Sequence, residues 1–195
     1  DPGVPIAKVR GGNPILFPFA GKSFVDGKVG VWKDPDGEIR PMPNHGFVRQ
    51  GRCEVEAIDE AGFTARLVPD EAARAAYPFD YVFRVRYLFE ELSFRVILSL
   101  ENRDTRAIPW SAGHHFYFTL PWIKGSTRQD YLIHLDCRRA QFVGPDGKLV
   151  PEKIRNPHFS FEDGSLVDRI HTRLRHSLIS FGPKSEEEDL SIVAG

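Results

Sequence analysis

The chain has 195 residues, 41% hydrophobic and 12% aromatic, which is enough to bury one sizeable core, and its length favours a single domain spanning residues 1–195. Its 26 basic and 27 acidic side chains leave a formal net charge of −1, without the basic excess of a nucleic-acid binder. No apolar run approaches the ~20 residues needed to span a bilayer, so a membrane partner is not expected either.

Cys53 and Cys137 stand far apart and match no CxxC spacing, so neither a zinc site nor a disulfide framework is indicated. Two buried free thiols in a reducing compartment are the simplest reading. No signal or transit segment opens the given sequence, which begins at Asp1, and the cytoplasm is the expected location.

In chain order, the segment Gly21–Pro43 is rich in Gly, Pro and Asp and reads as a long loop, a kind that is often functional in compact domains. Cys53–Ile58 and Phe63–Val68 read as paired strands split by the turn Asp59-Glu60-Ala61-Gly62. Asp70–Ala76 fits two turns of helix. From Phe79 to Tyr87 the odd positions are all large and apolar, while Asp80, Arg84 and Arg86 occupy even ones. Leu92, Phe94, Val96, Leu98 and Leu100 then alternate with Ser93, Arg95, Ile97 and Ser99. Each run has one buried face, and a turn at Glu90-Glu91 makes them an antiparallel hairpin. Further strands are expected at His115–Leu120, Tyr131–Cys137, Gln141–Val143, His176–Phe181 and Leu190–Val193. The sum is an all-β chain with helix below about 10%, against a usual share near a third.

Four stretches carry a family resemblance. They are Arg10-Gly11-Gly12-Asn13-Pro14-Ile15-Leu16-Phe17-Pro18 followed by Gly21; Met42-Pro43-Asn44-His45-Gly46-Phe47-Val48-Arg49; Tyr77-Pro78-Phe79 leading into the paired strands that end at Glu101-Asn102; and Ser111-Ala112-Gly113-His114-His115-Phe116-Tyr117-Phe118. In this order and spacing they resemble the aldose 1-epimerase family, including its hexose-6-phosphate mutarotase branch, over about residues 5 to 180. The resemblance implies a twisted antiparallel β-sandwich of the galactose mutarotase-like type, short at both ends. It also implies a cofactor-independent, metal-free isomerase whose partner is a small sugar or sugar phosphate. Oligomeric state is not readable from the residues.

Mutarotation removes a proton from the C1 hydroxyl while the ring oxygen receives one; the aldehyde turns about C1–C2 and the ring recloses on the other face. An acid and a base must therefore flank one sugar. Histidine, with an ordinary pKa of about 6.5, suits the acid. The resemblance puts that acid on the histidine of H-x-YF, which is His115. On an alternating strand His115 and Tyr117 share one face and His114, Phe116 and Phe118 the other. His114 therefore does not join His115 in holding one metal ion.

His45 matches the family's second histidine, a ligand for sugar hydroxyls, and Arg10 and Arg49 match arginines that bind substrate in the sugar-phosphate branch. A guanidinium fork can hold a phosphate or two neighbouring hydroxyls. Lys22 would add to that charge if it faced the cleft. Asp168, in Leu166-Val167-Asp168-Arg169-Ile170, matches an aspartate near the substrate. Trp32, Trp110 and Trp122 are candidates for a stacking platform, the latter two weighted higher because they flank the histidine strand.

The sequence departs from the family at the general base, a glutamate on a strand well past the Asp168-like segment. Glu186, Glu187 and Glu188 lie in what reads as a hairpin loop, and Glu162 precedes the Asp168 segment. A longer chain, a shortened relative or a substitute carboxylate would each account for this. The departure keeps open a non-catalytic carbohydrate-binding protein of the same fold; a plain β-sandwich interaction module fits the clustered His, Arg and Trp less well.

Overall fold

The computed structural model describes residues 13–91, 93–117 and 123–125, and the backbone of segments 131–135, 140–143, 149–154, 158–160, 170–172, 177–183 and 191–194. The chain divides into two compact units, Asp1–Arg86 with Leu98–Phe118, and Tyr87–Ile97 with Thr119–Gly195. Apart from one six-residue helix and a 3₁₀ turn, the described elements are strands, and every strand pair whose register is defined runs antiparallel.

The first unit opens with β1 (Ile15–Leu16), β2 (Phe24–Val25), β3 (Lys28–Val29), β4 (Val31–Lys33) and β5 (Ile39–Pro41). The expected long loop at Gly21–Pro43 is therefore two small hairpins, β2 with β3 and β4 with β5. Their strands are too short to show period-2 alternation, but their turns explain them. Asp26 and Gly27 take φ of 49° and 80°, the left-handed pair that joins two antiparallel strands through two residues. In the second hairpin the buried Asp34 accepts from the Glu38 amide and from Arg40 Nε, which closes the turn at Gly37. The Arg40 hydrogen bond holds the Asp34 carboxyl below the usual carboxylate range.

Next come β6 (Arg52–Asp59), β7 (Gly62–Val68), α1 (Glu71–Ala76), β8 (Tyr81–Phe89) and β9 (Phe94–Asn102), of which residues 87–89 and 94–97 fall in the second unit. The four strands form one sheet in the order β6-β7-β8-β9. Asp59 Oδ1 accepts the Ala61 and Gly62 amides and so builds the β6–β7 turn. α1 starts where Asp70 caps it, its side chain accepting from the Ala73 amide at 2.8 Å. In β9 the alternation holds: Val96 is buried and Phe94, Leu98 and Leu100 half-buried, while their neighbours Arg95, Ile97 and Ser99 are exposed. In β8 it breaks, because Val82 is buried as well as Phe83 and Val85, and Phe89 at the far end is exposed.

Charged side chains tie the four strands together. Glu54 and Glu56 of β6 bridge to Arg66 of β7, Glu56 also to Arg84 of β8, and Arg84 to Glu101 of β9.

The core of this unit is aromatic. Phe17 has no exposed surface; it stacks on Phe83 with centroids 4.0 Å apart and meets Tyr77 edge-on at 5.8 Å. Trp32 is buried, with Nε1 donating to the Ala76 carbonyl at 2.9 Å, so it packs rather than offering a platform. Burial stabilises each such ring by roughly 2–3 kcal/mol. Cys53 is exposed, contrary to the buried thiol expected, because β6 is an edge strand; Cys137 lies outside the described residues. β10 (Gly113–His114) closes the unit by pairing with β1.

The second unit continues with β11 (Tyr131–Leu135), β12 (Ala140–Val143), β13 (Leu149–Ile154), β14 (His158–Ser160), β15 (Ile170–Thr172), β16 (Ser177–Pro183) and β17 (Ser191–Ala194). They form two sheets, ordered β14-β11-β16-β17 and β13-β12-β15. Strands β13, β14 and β15 were not anticipated from the sequence; they carry Pro151, Glu152, Lys153, His158 and His171, which obscure an apolar alternation.

Candidate active site

Residues 13–21 are the axis of the site. On one side Phe17 bridges to Gly46 and its carbonyl accepts the Phe47 amide at 3.0 Å. On the other, Ile15 and Leu16 pair with His114 and Gly113, Phe19 bridges to Ser111, and His115 N–H donates to the Pro14 carbonyl at 3.0 Å. The bonds are mainly backbone to backbone, so the segment joins two distant stretches through main-chain geometry.

Gly46 shows how close the approach is. A Cβ built there would lie 1.9 Å from the Phe17 carbonyl oxygen, and its φ of 71° is one that side chains rarely adopt. His45 beside it also takes a positive φ, 68°. This double left-handed turn carries the His45 ring to the His115 ring, with centroids 5.9 Å apart and planes at 79°.

The alternation expected after Gly113 is present. His115 stacks on Tyr117 at 4.8 Å, and His114 stacks on Phe116 at 5.0 Å. The regular strand is only Gly113–His114, shorter than the expected His115–Leu120, whose last residues lie outside the described ones.

His114 serves structure. Its Nδ1 pairs with the Asn13 side-chain amide at 3.0 Å, and its buried Nε2 has no hydrogen-bond partner among the described residues. Burial pulls its pKa down to about 4, so the ring is neutral at physiological pH.

Of the remaining candidates, Arg49 sits half-buried in the 3₁₀ turn Val48–Gln50, directly after the His45 turn. Lys22 is exposed. Trp110 is 41% exposed and lies 6.3 Å from Phe17. Arg10, Trp122, Glu162, Asp168 and the glutamates at 186–188 lie outside the described residues. A recess of about 270 Å³ beside α1, lined by residues including Arg74, Phe79 and Tyr81, holds none of the expected site residues. Sequence reasoning passed over Asn13 and Gly21 as partners of the histidines. Asn13 stands in the Arg10–Pro18 stretch and Gly21 just after it, but their role depends on backbone geometry that residue type does not announce.

The aldose 1-epimerase family model matches residues 8–169. The chain belongs to the aldose 1-epimerase family. Among its relatives, the chromosomal LacX protein of Lactococcus lactis subsp. lactis is 28% identical over 125 residues, covering 64% of this chain and 42% of LacX. A galactose mutarotase related enzyme from Lactobacillus acidophilus superposes with a TM-score of 0.73 at 22% identity, covering 91% of this chain and 60% of that one. A galactose mutarotase-like protein from Lactobacillus casei gives 0.60 at 19% identity, covering 86% and 63%. The fold is thus the galactose mutarotase-like one, as the sequence motifs implied, and the chain spans less than two thirds of the length of each of these proteins. Among the described residues no helix is long and apolar enough to cross a membrane.

Proposed function

We propose that this epimerase-family chain interconverts the α and β anomers of an aldohexose or hexose phosphate by acid–base ring opening. His115 is the general acid that protonates the ring oxygen. His45 and Arg49 orient the sugar, with Arg10 and Asp168 as further ligands. The observation that carries the reading is the edge-to-face meeting of His45 and His115, two motif histidines far apart in sequence. Convergent polar groups of this kind are what a ligand site requires. A carboxylate base on the opposite face of the sugar takes the C1 hydroxyl proton, and the same two groups exchange roles as the ring recloses.

Polarimetry or exchange NMR on freshly dissolved anomers tests this without added metal. A chain that supplies the carboxylate base is expected to accelerate interconversion, and His115→Asn to lower its kcat by about 100-fold or more with little change in binding, because proton donation matters chiefly in the transition state. Arg49→Ala is expected mainly to raise KM, more for a phosphorylated sugar than a neutral one. An unaltered rate in His115→Asn removes that residue from the mechanism. Sugar binding by wild type without acceleration identifies a non-catalytic binding protein instead.

A further inference from the structure

The mutarotase reading says which histidines meet the sugar but not which nitrogen of each carries a proton, and the inference below rests on that reading. His45 is held twice by Gly21. Its amide N–H donates to the Gly21 carbonyl at 2.8 Å, and the Gly21 amide donates to its Nδ1 at 3.0 Å. A backbone amide can only donate, so the ring atom facing it must present a lone pair. Turning the ring over would set a carbon-bound hydrogen there, and a proton on Nδ1 would meet the amide hydrogen head-on. With Nδ1 accepting, the neutral ring carries its hydrogen on Nε2.

We infer that Gly21 is a positioning residue of the site: its amide fixes His45 as the Nε2–H tautomer, so that His45 meets a sugar or phosphate oxygen as a hydrogen-bond donor and leaves proton exchange to His115. The backbone enforces the pairing. Gly21 takes φ 87°, His45 68° and Gly46 71°, and a Cβ at position 46 would meet the Phe17 carbonyl. A left-handed conformation is unfavourable for a residue with a side chain, so His45 adopts it because its neighbours require it. An Nε2–H ring cannot ligate a cation or accept a hydroxyl proton through Nε2. The class of group that fits opposite it is therefore an acceptor oxygen.

The test is a long-range ¹H–¹⁵N correlation spectrum of histidine-labelled protein at neutral pH, with His45 assigned from the signals missing in His45→Gln. A protonated Nε2 and a bare Nδ1 are expected; a protonated Nδ1, or an averaged pair, overturns the inference. A second arm compares His45→Gln with His45→Asn, using glucose and glucose 6-phosphate. The glutamine amide can stand where Nε2 stood, so KM is expected to change less than about 3-fold. Asparagine can accept from Gly21 but falls short of Nε2, and KM is expected to rise about 10-fold at similar kcat. Equal losses in two folded variants overturn the donor role. If the chain does not accelerate anomer exchange at all, the mutarotase reading fails while the spectrum still decides the tautomer.

Discussion

The sheet β6-β7-β8-β9 and the segment 13–21 with its two flanking stretches both rely on backbone hydrogen bonds, yet they tolerate change very differently. In the sheet, neighbours in sequence are neighbours in space, one face is apolar, and the other carries ion pairs from Glu54 to Glu101 that solvent screens. Around Phe17 the chain has no such slack. One carbonyl oxygen receives the Phe47 amide and also sits where a side chain on residue 46 would go. The sheet is specified by a pattern that many residues satisfy, and the site axis by a few positions that admit no alternative.

Substitutions can break this contrast. The largest effect is expected from Gly46→Ala, where the new Cβ meets backbone atoms at an unfavourable φ; a loss above about 4 kcal/mol, or failure to accumulate folded protein, should appear in denaturant titration. Phe17→Ala removes the ring stacked on Phe83 and is expected to cost about 3 kcal/mol by the same measurement.

His114 adds a pH dependence. Its folded pKa of about 4 lies below the ordinary histidine value, so the unfolded chain takes up the proton first as pH falls. Its contribution is intact above about pH 6.5 and lost progressively toward pH 4, with a slope of at most ~1.4 kcal/mol per pH unit. Unfolding curves for His114→Leu should be flatter across that window than wild type. The smallest effect is expected at Arg84→Met, which opens the exposed ion-pair ladder; the midpoint should move little, and less still in high salt. A shift there rivalling Phe17→Ala would end the contrast.

What the sequence made legible follows the same division. The strands from Arg52 to Asn102 could be read to within about two residues because burial of one face imprints a period of two. The opposite faces of His114 and His115 followed from the same rule. The hairpins between Phe24 and Pro41 did not, since strands of two or three residues carry no period. The pairing of Gly21 with His45, and of Asn13 with His114, was equally hidden: each is a contact between segments, fixed by φ values and amide directions rather than residue type. Family resemblance singled out these stretches without revealing those bonds.

Asn13 and His114 stand 101 positions apart, whereas the β6–β7 turn closes within a few residues. Chain entropy charges little for the short closure and considerably more for the long one. The hairpins can therefore form early and independently, while the histidine pair exists only after residues 111–115 have found the N-terminal segment. In refolding, recovery of strand signal should precede recovery of sugar binding. The proposed site is therefore expected to be completed after the local hairpins.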